Sequence, residues 1–138
     1  MIVDHLVVAV DGRPAPQGSK KHGAHGQMRE ASPYLAAWRA AVKKAVYVAY
    51  AAAEVSPDVL PLFRGAIAVN VVFRLPANRR VDAMPDLDKL LRSTWDALTA
   101  GRIWEDDGRV VSVVASKRHV VDGEATGAHI EVRAAGDA

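Results

Sequence analysis

The chain has 138 residues and a mass of 14.8 kDa, one domain's worth, and it can bury a core without staples. Half of the residues are apolar, a quarter are charged and none is cysteine. That composition excludes a disordered or fibrous chain, disulfides, thiolate metal sites and a cysteine nucleophile. Eighteen Lys and Arg stand against 16 Asp and Glu, a net charge of +2, so affinity for nucleic acid depends on where the charges sit rather than on their sum.

Ile2–Val10, IVDHLVVAV, reads as a short buried strand. Asp11–Ser32 holds four Gly and two Pro and reads as a loop of functional length. From Gly12 to Arg29 it carries Arg13, Lys20, Lys21 and Arg29 and no acid. Residues 12–31 are therefore expected to form a basic, mobile DNA-binding loop. Pro33–Glu54 is Ala-rich, with apolar positions at Leu35, Trp38, Val42, Ala45 and Val46. It predicts an amphipathic helix, with Ser32 as N-cap and Pro33 as first residue. Ala66–Leu75 predicts a second strand, and Pro76–Pro85 a loop bearing Arg79 and Arg80. Leu87–Ala100 predicts a second helix, closed by Gly101 in the left-handed conformation. Arg109–Ser116 and His129–Arg133 predict the last strands, with Asp122–Gly127 between them. The order β-α-β-α-β-β implies one α+β domain over residues 1–138, a mixed sheet of about four strands with two main helices. No apolar run approaches the roughly 18 residues of a membrane span. The N-terminus lacks a signal-peptide pattern, so a cytoplasmic protein with no membrane partner is expected. The Gly of the first loop lack a phosphate-cradling signature, so no nucleotide cofactor is expected.

Chemistry concentrates in Pro85–Val111, PDLDKLLRSTWDALTAGRIWEDDGRVV. Asp86 and Asp88 stand at the mouth of a helix, and Glu105, Asp106 and Asp107 precede a strand. Carboxylates brought together repel one another unless a cation neutralises them. Hard divalent ions prefer oxygen ligands, and such a site suits phosphodiester hydrolysis. The plain alternative is that Asp caps helices and fills turns. Arg92, one turn after Asp88, is placed either to pair with it or to steady a phosphate oxygen. Spacing alone leaves both readings open.

The same segment resembles the RusA family of Holliday-junction resolvases, small endonucleases common in phages and prophages. The likeness lies in an Asp-x-Asp pair opening a helix, a basic residue one turn on, a Trp-Asp-Ala-Leu stretch, and an aromatic before paired Asp. The N-terminal GRPAPQGSKKHGAHG followed by SPYLAAWRAAV resembles the family's Pro-x-Pro element, basic loop and first helix. The resemblance implies a RusA-like homodimer that nicks a four-way DNA junction in pairs, using Mg²⁺ or Mn²⁺, in DNA recombination and repair. It implies Asp86, Asp88 and Asp107 as catalytic metal ligands. Arg92 stands where the family's essential Lys is usual, and Lys117 matches a basic residue late in the third strand. An Arg stays charged and forked, so it keeps phosphate stabilisation but not proton donation.

DNA contacts are expected from Arg13, Lys20, Lys21 and Arg29 in the first loop. Arg74, Arg79 and Arg80 before the second helix and Lys117 and Arg118 at the late strand end are expected to join them. The exposed side of the first helix and the loop Leu60–Phe63 are candidate dimer surfaces. Two alternatives remain: a nuclease for forks or flaps, and a junction-binding module with a decayed site.

Overall fold

The computed structural model describes residues 3–18, 21–22, 28–29, 33–77 and 84–136. Its elements in chain order are β1 (His5–Asp11), β2 (Lys21–His22), β3 (Met28–Arg29), α1 (Leu35–Ala52), β4 (Ile67–Leu75), α2 (Leu87–Ala100), β5 (Val110–His119) and β6 (Gly127–Ala134). The expected α+β class and the four-stranded mixed sheet are both present. The sheet order is β1-β6-β4-β5. β4 and β5 run parallel, joined through α2, and the other neighbours are antiparallel.

Period-2 alternation sends one side of each inner strand into the core. Leu6, Val8 and Val10 of β1 pair with Val132, Ile130 and Ala128 of β6, and all are buried. Val69, Val71 and Phe73 of β4 continue those rows. α1 buries Leu35, Trp38, Val42, Ala45, Val46, Ala49 and Tyr50. Trp38 joins the layers: its ring is 6.4 Å from that of Phe73, and its Nε1 donates to Thr94 Oγ1 of α2 at 3.2 Å.

Several boundaries differ from expectation. The long loop contains a two-stranded hairpin, with Lys21 opposite Arg29 and His22 opposite Met28. α1 starts two residues later than expected, with Tyr34 as N-cap and no side-chain cap bond. Gly101 is right-handed, with φ −79°, while Arg102 takes the left-handed position at φ +63°. Gly101 instead sits tight against α1: a Cβ there would lie 3.0 Å from Val46 Cγ1, which would have to give by a few tenths of an ångström. Glycine at this point lets α2 end against α1 rather than supplying a turn.

The loop Leu60–Phe63 is taken up by the fold. Leu62 N and Phe63 N donate to Arg102 O and Ile103 O, and Phe63 is buried. It is therefore poorly placed to serve as an interface. α1 does leave Tyr47 and Val48 exposed. Among the described residues, no helix is long and apolar enough to cross a membrane.

Candidate active site

Pro85 and the extended backbone of Asp86 (φ −63°, ψ 135°) lead the chain into α2. Asp86 is the N-cap residue, yet its side chain makes no cap hydrogen bond. Instead its Oδ2 lies 3.6 Å from Lys89 Nζ, with the Asp86 side chain 66% exposed. Asp88 sits in the first turn of α2, and both it and Arg92 are exposed. The Asp88–Arg92 pair allowed by their spacing does not form among the described residues. Two carboxylates and a guanidinium thus lie on the solvent side at the start of the helix.

Lys117 closes this end of the site. β5 is parallel to β4, so its last residues lie where β4 ends and the chain turns toward α2. Lys117 Nζ donates to Pro85 O at 2.7 Å. The ammonium is therefore fixed one residue from Asp86.

Asp107 lies at the opposite end of β5. Buried Ile103 and Trp104 anchor the return from α2. Trp104 meets Trp95 edge-on at 5.6 Å and donates from Nε1 to Thr99 Oγ1 at 2.7 Å. A one-turn 3₁₀ helix, Asp107–Arg109, follows, with the Asp106 side chain accepting from Gly108 N at 3.1 Å. Arg109 bonds Arg64 O and Glu105. Loss of solvent raises the Asp107 carboxyl above the ordinary carboxylate range, and the neighbouring Asp106 and Asp96 add to the rise.

Asp107 therefore gathers with Asp106 and Asp96, not with the helix-opening pair. Among the described residues, no group of three or more His, Asp or Glu side chains is placed to hold a metal ion. The reason is the run of the chain. A 14-residue helix spans about 21 Å. It carries the chain from the Lys117 end of β5 back to the strand's beginning. In donor type the three aspartates still suit a hard divalent cation, and crowding such as that at Asp107 is what a cation relieves.

The basic residues divide. Arg13 lies over the Tyr34 ring, 4.1 Å from its centroid. Lys21 and Arg29 occupy opposed positions of the hairpin. Lys20, Arg79 and Arg80 lie outside the described residues. Two of the expected DNA contacts are committed elsewhere. Arg74 donates from Nε to Ala125 O at 3.0 Å and from Nη2 to Val10 O at 3.2 Å. It thereby holds the start of β6, where Gly127 is required because a Cβ would lie 1.9 Å from Val10 O. Arg118 makes two bonds to Glu124, at 2.6 and 2.7 Å. A basic residue read from sequence carries no sign of such partners.

Sequence reasoning missed Asp96. It follows Asp88 and Arg92 at steps of four, one stripe along a helix, and that spacing was the available signal.

A family model described as endodeoxyribonuclease RusA matches residues 11–133. The match runs from the last residue of β1 into β6 and includes both aspartate groups. The comparison with curated proteins gives no match.

Proposed function

The chain belongs to the RusA endodeoxyribonuclease family, and from that premise we propose that it resolves four-way DNA junctions by paired, Mg²⁺- or Mn²⁺-dependent nicking, in DNA recombination and repair. The observation that carries this reading is the exposed Asp-x-Asp pair of the family segment, beside a fixed lysine at the mouth of α2. Asp86, Asp88 and Asp107 would hold the cation. A divalent ion bound there supplies charge to the scissile phosphate and acidifies a water nucleophile. Arg92 steadies a phosphate oxygen and, always charged, does not donate the proton. Lys117 offsets the carboxylates and keeps a cation facing the DNA. Arg13 and the hairpin residues Lys21 and Arg29 bind backbone phosphates, with Lys20, Arg79 and Arg80 supplying further charge.

One chain does not bring the three aspartates together, so the proposed site is shared by two copies. β5 is an edge strand of ten residues. It exposes Val111, Val113 and Val114 at 64%, 40% and 66%. Long apolar edges are templates for pairing. Two β5 strands paired antiparallel about Val113–Val114 place the start of one beside the end of the other. Asp107 of the partner subunit then approaches Lys117, Asp86 and Asp88. The same two-fold sets two sites at a fixed separation, which suits a four-way junction.

The test incubates wild type and Asp88→Asn with Mg²⁺ and a four-way junction, a fork or a linear duplex. Symmetric nicking of the junction, lost in the variant, is expected. Preferential cutting of the fork would make it a nuclease for other branched DNA. Junction binding without cleavage would identify a module with a decayed site.

A further inference from the structure

Between β1 and the basic hairpin, the chain crosses the start of α2 as a strap. Ala15 is buried at 1%, between Pro14 and Pro16, whose rings stiffen the backbone. The buried hydroxyl of Ser93 lies 2.6 Å from Ala15 O and donates to it. Gln17 N donates to Lys89 O, a carbonyl of the first turn of α2, at 3.0 Å. Gln17 Oε1 accepts from Arg39 Nη2 of α1 at 2.9 Å. The same nitrogen donates to Asp96 Oδ2 of α2 at 3.0 Å.

These bonds join the strap to both helices at one place. Gln17 touches the backbone of Lys89, the residue after Asp88. β2 begins four residues after Gln17. The strap that leads into the hairpin is therefore fixed at Gln17 against the helix turn that carries Asp88. The Arg39 and Asp96 side chains are 36% and 48% exposed, and an ion pair so exposed contributes little to stability. What distinguishes this pair is its third member: it orients a side chain on the strap.

We propose that Gln17 is a positioning residue, which with Arg39 and Ser93 sets the register between the basic hairpin and the carboxylates of α2, so that a DNA arm held by one presents its phosphate to the other. The inference rests on the junction-nuclease reading for its substrate, but the tie itself does not. Gln17→Ala removes the acceptor for Arg39 and leaves the backbone bond. Gln17→Glu keeps the acceptor and is the rescuing variant.

Two measurements test it. In steady-state cleavage of a four-way junction with Mg²⁺, Gln17→Ala is expected to raise KM about tenfold, the loss of one charge-assisted bond. kcat should stay within about twofold of wild type, and Gln17→Glu should restore KM. The chain has no cysteine of its own, so spin labels at Lys21→Cys and Ala100→Cys report the hairpin-to-helix distance without DNA. That distribution should be narrow in the otherwise native chain, broad with Gln17→Ala and narrow again with Gln17→Glu. An unchanged distance distribution in Gln17→Ala, or an unchanged KM in an active enzyme, overturns the proposal. If wild type cuts no DNA, the nuclease reading fails, and the label distances alone decide the tie.

Discussion

The sheet has two edges, and they are finished differently. β1 alternates strictly, with Leu6, Val8 and Val10 buried and His5, Ala9 and Asp11 turned outward. β5 has no such alternation. Val113, in register with Val69, and Val114, in register with Asn70, point to opposite faces of the sheet, and both are exposed. An edge that is apolar on both faces gains stability only when a further strand or layer covers it. β1 ends a sheet; β5 is the edge at which a sheet can continue. The two proposed halves of the active site lie at the two ends of β5, and the proposed dimer would cover the unfinished edge and complete the divided site with the same second copy.

Substitutions at the two edges test this contrast. The largest effect is expected at the site itself. Asp86→Asn and Asp107→Asn should each reduce cleavage to background while gel-shift binding of the junction persists, because a negative charge facing phosphate is lost. Near-normal turnover in either would remove it from the ligand set. Next comes the interface. Val113→Lys or Val114→Lys places like charges across the two-fold and should weaken self-association by about a hundredfold or more, with cleavage lost in parallel. Val7→Lys on β1 should change neither, as read by analytical ultracentrifugation and nicking. If all three variants behave alike, the edges are not different.

Smaller effects belong to stability alone. The Tyr50 hydroxyl, raised above its ordinary pKa by burial, donates to Gly101 O at 2.7 Å. Tyr50→Phe leaves that carbonyl unpaired and should cost about 1–2 kcal/mol in denaturant unfolding, with cleavage at the permissive temperature unchanged. The smallest effect is at the far end of β5. Hydrogen bonds from Arg118, then from Val121 N, hold the Glu124 carboxyl at about 2, against an ordinary 4.5. The folded value lies below the unfolded one, so the stabilisation is complete above about pH 4.5 and is lost as pH falls toward about 2. Glu124→Gln should lower Tm slightly above about pH 4.5, where that stabilisation is present, and leave it unchanged near pH 2, which flattens the fall in Tm over the acid range.

Most of the fold was legible from local pattern. The β4 run and the spacing of Leu90, Leu98 and their neighbours in α2 are set by burial against one core, and burial leaves a period in the sequence. The helix-opening role of Asp86 was legible for the same local reason. Gly101 shows where that reasoning stops. A glycine after a helix predicts a left-handed cap, but here the glycine is right-handed and packed close to Val46, and Arg102 takes the positive φ. Arg74 and Arg118 read as DNA contacts because a sequence does not show that Val10 O and Glu124 await them. The separation of Asp107 from Asp88 was hidden too. It depends on the direction in which α2 returns the chain along β5, a property of topology rather than spacing.

The central claim, that each site draws on two chains, is tested most directly by mixing two inactive variants. Asp88→Asn and Asp107→Asn chains are denatured together, refolded and assayed on a four-way junction with Mg²⁺. A shared site predicts that the mixed dimer regains one intact site, one that unites unaltered Asp86 and Asp88 with unaltered Asp107, and nicks the junction in one strand. If each site draws on a single chain, both sites of the mixed dimer stay broken, and background cleavage in a mixture shown to contain mixed dimers would contradict the account.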